Sequence, residues 1–227
     1  MASVRAAALL LGLAAMANEA RAAGGAHVVD DAGVETPGVC HLETWVTGHG
    51  AGDGSVTLAP ACTRTAWPRV ELGASATVAR SGGADDTTFG PAVKLNLRPL
   101  ESGLGLGIIA SGSWSADSGR LESAALLAPV SVALGEGTRL NLNAGWHYSR
   151  TGERSHQAFY GAQVEVDLAP GWSAMAEAFG HDDGRTGAQL GLRWTPGGGT
   201  VDLDLLAGRY LDGATRDAIT VGITARR

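Results

Sequence analysis

Residues 139–149 read RLNLNAGWHYS. Leu140, Leu142, Ala144, Trp146 and Tyr148 share one side of an extended chain, and Arg139, Asn141, Asn143, Gly145, His147 and Ser149 share the other. Successive side chains of a strand point to opposite faces, so this stretch is a strand with one apolar and one polar face. The same two-residue period recurs on either side of it. In 159–168, Tyr160, Ala162, Val164, Val166 and Leu168 oppose Gln163, Glu165 and Asp167. In 188–194, Ala188, Leu190, Leu192 and Trp194 oppose Gln189 and Arg193, and in 201–207, Val201, Leu203, Leu205 and Ala207 oppose Asp202 and Asp204. Towards the N-terminus, Val70, Leu72, Ala74, Ala76 and Val78 oppose Glu71, Ser75 and Thr77. In 103–116, Leu104, Leu106, Ile108, Ala110 and Trp114 oppose Gly103, Gly105, Gly107, Ser111 and Ser113.

Turn-forming clusters punctuate these strands in two alternating kinds. WPR (67–69), RPLESG (98–103), LGEGT (134–138), APGW (169–172) and TPGGGT (195–200) form one set. GHGAGDGS (48–55), SGGADDT (81–87), ADSGR (116–120), RTGERS (150–155), HDDGRT (181–186) and LDGAT (211–215) form the other, more charged set. Eleven breaks separate twelve strands, an even number, which places both ends of the barrel on one side as bacterial membrane barrels require. The first set is expected to face the periplasm and the second to face outward.

A one-faced strand fits a soluble sandwich as well as a membrane barrel. The location of the large side chains separates the two. A face of Gly and Ser, as in 103–116, buries little and makes a poor soluble core. The tryptophans are expected in two aromatic belts at the bilayer boundaries. Trp67, Trp172 and Trp194 fall at the periplasmic strand ends, and Trp45, Trp114 and Trp146 towards the outer ends, with Tyr148, Tyr160 and Tyr210. The expected fold class is therefore all-β: a transmembrane, antiparallel, up-and-down β-barrel of about twelve strands over 39–227, facing outer-membrane lipid. A soluble periplasmic all-β binding protein is the weaker reading.

Composition agrees. Glycine supplies 34 of 227 residues, roughly twice its ordinary share of about 7%, without the Gly-X-Y period of collagen. The formal net charge is −6, and no stripe of Lys and Arg is present to neutralise phosphates, so no nucleic-acid partner is expected. The first 22 residues read as a cleaved signal peptide: one positive charge in MASVR, the apolar run AAALLLGLAAMA, and small residues at Ala20 and Ala22. That run is below the ~20 residues of a spanning helix. Residues 23–38 are expected to be a short periplasmic segment, too short for a plug domain. Cys40 and Cys62, the two cysteines of the chain, fall opposite each other across a hairpin pivoting near Ala51, so an exported chain is expected to join them in a disulfide.

Asp30-Asp31-Ala32-Gly33, followed by Pro37-Gly38 and an alternating strand, resembles the mature start of the outer-membrane barrels named after the meta-pathway of phenol degradation, a transporter family. The resemblance is sharp over 30–38 and diffuse over 28–227. It implies passage of small solutes, aromatic or apolar ones among them. Cys40 and Cys62 are not part of that family's start, and the C-terminal ITVGITARR lacks the terminal aromatic that many outer-membrane proteins offer to the barrel-assembly machinery, the expected partner in biogenesis.

Twelve strands enclose more than the eight whose interior just fills with side chains. Glu71, Lys94, Arg98, Glu165, Asp167, Glu177, Arg193, Asp202 and Asp204 are the candidate lumen and selectivity residues, with Glu177 and Asp202 on the strands flanking that of Arg193. They read either as polar groups satisfying one another in a closed interior or as a field that sorts solutes by charge. Six are acidic and three basic, which favours cations or neutral solutes over anions. The outward breaks are too short for a receptor or adhesin.

No enzyme is expected. His147 and Ser149 share a face, and Ser155-His156 lies in a break, but neither pair has a third group to orient the imidazole. His49, His147, His156 and His181 map to the outer end with no metal-ligand spacing. GLGLG (103–107) reads as small lumen residues, not a phosphate loop, and no cofactor motif is present. The sequence thus points to an outer-membrane channel for passive passage of small solutes, with a non-conducting structural barrel as the alternative.

Overall fold

The computed structural model describes residues 26–50, 52–151, 154–210 and 217–227. The signal peptide expected over 1–22, the pivot at Ala51 and the turn 211–215 lie outside the described residues. Twelve strands follow in order: β1 (Cys40–Gly50), β2 (Asp53–Thr63), β3 (Val70–Ser81), β4 (Ala84–Arg98), β5 (Leu104–Ser115), β6 (Leu121–Gly135), β7 (Thr138–Ser149), β8 (His156–Ala169), β9 (Trp172–His181), β10 (Thr186–Trp194), β11 (Val201–Tyr210) and β12 (Ala218–Arg226). Each pairs antiparallel with its sequence neighbours, and β1 pairs with β12, so the sheet closes into a barrel with no free edge. The strand ends at Cys40 and Arg226 meet on one rim, called the terminal rim below; the opposite one is the far rim. No described helix is long and apolar enough to cross a membrane.

The hairpin from β3 to β4 turns through two residues, Gly82 and Gly83. Both have positive φ, 59° and 85°, the backbone that a two-residue turn matched to strand twist demands.

Burial is inverted relative to a soluble protein. Leu190 is 66% exposed, Ile219 62% and Val221 59%, whereas Asn141, Gln163 and Asp202 are fully buried. Large apolar side chains thus cover the outside and polar ones fill the inside, the distribution of a lipid-facing barrel. Water would be a poor solvent for a continuous outer face of this kind.

Five of the six tryptophans face outward near the strand ends, and Trp45 does not. Trp67, Trp172 and Trp194 are exposed at the terminal rim, and Trp172 stacks on Trp194 with ring centres 5.7 Å apart. Trp146 lies outward near the far rim, as does Trp114, paired with the exposed Phe89. Trp45 does not belong to a belt. It shares its face with the buried His41 and with Thr47, whose hydroxyl bonds that of its register partner Thr220 on β12. The outward positions of β1 are instead Leu42, Thr44 and Val46.

Cys40 and Cys62 are register partners and are joined by a disulfide. Cys40 is exposed and has the parity of Leu42 and Val46, so the bond lies on the outer face beside the terminal rim. A closed loop of this length, 22 residues in separation, is worth roughly 3.4 kcal/mol in the chain-entropy view. Strand β1 is also held on both sides by β2 and β12, so Cys40→Ser should leave the barrel closed but lower its urea midpoint. An unchanged midpoint would show that strand pairing alone sets the stability of this hairpin.

Candidate functional site

The interior is occupied by the chain itself. Residues preceding β1, expected below the barrel, instead run inside it: Val29 is fully buried, and Asp31 and Ala32 are each 1% exposed. Starting from the terminal rim, the Glu35 N–H donates to Glu71 on β3 (2.8 Å) and its carboxylate accepts from Arg226 on β12 (2.7 Å). Arg226 also pairs with Asp202 of β11 at 2.7 Å. Higher up, the Ala32 N–H donates to Ser131 Oγ on β6 (2.9 Å), and its carbonyl accepts from Asn96 Nδ2 on β4 (2.9 Å). Lys94 of β4 reaches Asp30 at 2.9 Å and Asp31 at 3.1 Å, and Arg139 of β7 lies 3.6 Å from Asp31. Asn143 on β7 accepts from the Asp30 N–H and donates to its carbonyl. At the innermost end, Glu177 on β9 accepts from the N–H groups of Val28 and Val29, both at 3.0 Å, and from the His27 imidazole.

Glycines make the room. A Cβ at Gly161 would stand 2.7 Å from Val29 Cγ2. One at Gly105 would stand 3.2 Å from Ala32 Cβ, and one at Gly107 would stand 3.2 Å from the Ala32 carbonyl. The GLGLG face is therefore the groove in which the segment lies. Val29 packs with Phe159 and Phe179 in the one cluster of buried apolar side chains described inside the barrel, bordered by Val28 and Leu127.

Behind the segment the wall is a row of side-chain hydrogen bonds. Ser131 donates to Asn141, Asn141 to Gln163 and Gln163 to Glu177, over 2.7–3.0 Å. These residues are register partners on β6, β7, β8 and β9, so the closed sheet itself sets their spacing. Arg193 on β10 makes two bonds to Asp204 on β11, at 2.7 and 3.1 Å. Arg139 pairs with Glu165. A low-dielectric interior makes such charge-assisted bonds strong when satisfied and costly when broken.

Seven of the nine candidate lumen residues lie in this interior: Glu71, Lys94, Glu165, Glu177, Arg193, Asp202 and Asp204. Two do not. Arg98 is exposed beside the turn after β4, donating to Ser102, because a register shift between Asn96 and Arg98 turns it out of line. Asp167 stands exposed at the terminal rim next to Gly137. Arg193 bonds Asp204, its register partner on β11. Arg139, Asn143, Asn96 and Ser131 were not among the candidates, yet they hold the segment; their place on the polar face of strands was the available signal.

At the far rim, hydrogen bonds from the Arg185 backbone and guanidinium hold the Asp183 carboxyl below the usual carboxylate range. His147 and His181 face each other with ring centres 5.2 Å apart. Ser149 donates to the Thr151 carbonyl, and His156 accepts from Trp146 on the outer face, so neither serine–histidine pair forms the link of an acyl-transfer site. Among the described residues no group of three or more His, Cys, Asp or Glu side chains could hold a metal.

No curated protein sequence matches the chain. Solved structures share its fold. The KdgM porin superposes with a TM-score of 0.66 at 7% identity, over 82% of this chain and 98% of its own. An outer-membrane channel from Pseudomonas putida F1 gives 0.53 at 14%, over 86% and 97%, and the outer-membrane phospholipase A of Escherichia coli gives 0.52 at 13%, over 82% and 92%. At these identities the likeness shows the barrel fold, which serves both channels and an enzyme, and nothing finer. The resemblance to the phenol meta-pathway barrels thus holds for the architecture, whereas the family assignment comes from a different match. A family model covers residues 11–227, and the chain belongs to the family described as Uncharacterised conserved protein UCP029691.

Proposed function

We propose that this chain is an outer-membrane channel, closed at rest by its own residues 27–35 and passing small polar solutes when they withdraw. The carrying observation is how the segment is held. Apart from Val28 and Val29 against Phe159, Phe179 and Leu127, its anchors are hydrogen bonds and ion pairs to the wall. Water can replace such anchors, so withdrawal exposes little apolar surface. Gly38, at φ 97° just before β1, gives the chain a turn about which the segment can swing. In this reading the outward apolar face lies in outer-membrane lipid, the barrel-assembly machinery inserts it, and the terminal rim faces the periplasm.

The interior also bears on the solute. Lys94, Arg139, Glu165, Glu177, Arg193 and Asp204 would line the opened path, which suits polar solutes of mixed charge. The aromatic or apolar solutes implied by the family resemblance would find little beyond Phe159, Met175, Phe179 and Leu206. The alternative, a non-conducting structural barrel, draws on the full burial of Asn141, Gln163 and Asp202 with the segment in place.

A reversible lock tests the reading. Ala32→Cys with Gly105→Cys brings two Cβ positions 3.2 Å apart, near the about 3.5–4.5 Å of a disulfide. In planar bilayers the wild type should show discrete but infrequent openings. The oxidised pair should be silent, and reductant should restore the wild-type pattern, with the wild type in reductant as the control for Cys40–Cys62. Openings in the oxidised pair would remove the segment as the gate. Silence in every sample would leave the structural barrel.

A further inference from the structure

We propose that the groove holding residues 27–35 is a binding site for extended acidic peptides, of the pattern apolar–acidic–acidic–small, and that the N-terminal segment is its tethered occupant. This rests on the reading that the segment can withdraw, and it names the solute class that the opened interior would recognise.

The wall reads main chain. Asn143 takes both the N–H and the C=O of Asp30, at 2.9 and 2.7 Å. Ser131 and Asn96 take the N–H and C=O of Ala32. Glu177 takes two successive N–H groups, and Glu71 takes a further one at Glu35. A peptide docking on a sheet ordinarily bonds a free strand edge. This barrel has none, so side chains from β3, β4, β6, β7 and β9 supply the partners instead. A plug that merely filled the bore would need apolar contact, not paired amide recognition. Contacts to peptide groups do not depend on which chain carries them.

Four subsites give the pattern. Phe159 and Phe179, with Gly161 beside both, take the apolar residue at Val29. Lys94 bridges the consecutive carboxylates of Asp30 and Asp31, and Arg139 backs the second. Gly105 and Gly107 crowd position 32 so closely that only a small side chain fits. Charge-assisted bonds to two adjacent carboxylates give direction and register to a bound chain.

The tether competes with any free peptide, because a short link holds its segment at an effective concentration in the millimolar range. The test therefore uses the full chain carrying Val29→Asp, which weakens the tethered occupant and leaves the wall intact. Ala32→Leu serves the same purpose should that variant fail to fold, as judged by heat-modifiable migration. The probe is a fluorescent, end-blocked Val-Val-Asp-Asp-Ala-Gly peptide, followed by anisotropy in detergent, with Val-Val-Lys-Lys-Ala-Gly as its counterpart. Saturable binding of the acidic peptide, at least tenfold tighter than the lysine peptide, is expected. Lys94→Ala in the same background should weaken the acidic peptide at least tenfold, and the wild type, its groove filled, should bind it at least tenfold more weakly than the released variant.

Bilayer recordings on the same samples separate the two readings. Conductance without preference for the acidic peptide overturns the peptide site and leaves the channel standing. Preferential binding to a silent barrel supports the site and overturns the channel. Loss of both overturns both.

Discussion

Arg193→Ala should destabilise the barrel by about 3–5 kcal/mol, the cost of removing one partner from a buried, hydrogen-bonded ion pair. The guanidinium is 3% exposed, makes two bonds to Asp204, and belongs to an interior that also contains Asp202 and Glu165. Alanine leaves Asp204 buried at 5% exposure, with the His27 Nε2 3.9 Å away. The loss should therefore exceed that of the double change Arg193→Met with Asp204→Leu, which removes both charges and keeps most of the volume. Urea midpoints of the three refolded proteins decide this order. A single variant within about 0.5 kcal/mol of wild type, the ordinary size of a surface change, would show that water reaches this pair. The same substitution tests conduction, since losing one positive charge from the wall should shift the reversal potential towards cations in an open channel and leave a closed barrel without any signal.

The barrel itself was legible because a two-residue period survives along nearly every strand. Strand number, the alternation of turns and the Cys40–Cys62 register all follow from counting. Asp167 escaped it because it stands exposed at the rim, beyond the enclosed interior, and three further features escaped it, each for a local reason. Trp45 was placed by its height along the strand, but CHLETWVTG carries polar residues on both faces, so the apolar side is weakly marked and Trp45 falls with His41 and Glu43. Arg98 has the parity of Lys94 and Asn96, and a register shift after Asn96 undoes that parity. The occupied interior escaped through a length argument. A plug domain needs many residues, but an extended chain advances about 3.3 Å per residue, so the nine residues from His27 to Glu35 are enough to run from Glu71 at the terminal rim to Glu177 in the middle of β9. Two signals were available. Gly105, Gly107, Gly161 and Gly191 leave interior volume that the lumen side chains do not fill, and Lys94 and Arg139 are interior cations for which Asp30-Asp31 supplies a matching pair.

Val29→Asp should produce the largest functional change, converting an infrequently opening barrel into a persistently conducting one. Val29 is the fully buried apolar anchor of the segment, and its surroundings are Phe159, Phe179 and the carboxylate of Glu177. Removing that side chain forfeits about 1.5–3 kcal/mol of burial. The new carboxylate cannot be hydrated there and faces an existing negative charge, an effective penalty of several kcal/mol. A combined shift of at least about 4 kcal/mol moves a closed-to-open ratio by roughly a thousandfold, at about 1.4 kcal/mol per factor of ten. The remaining anchors pull the other way: neutral bonds at Ala32, each worth only ~0.5–1.5 kcal/mol net, and the stronger ion pairs of Asp30, Asp31 and Glu35 with Lys94, Arg139 and Arg226, so the innermost end is expected to leave first and the rest to follow as water reaches those pairs. Val29→Leu, which keeps the apolar contact but crowds Gly161, should open the barrel far less. The measurement is open probability in planar bilayers together with proteolysis of the N-terminal segment, which the released segment should undergo and the seated one resist. An aspartate variant whose segment is cleaved but whose bilayers stay silent would mean that the wall closes on its own, and the passage would have to be sought along the outer face.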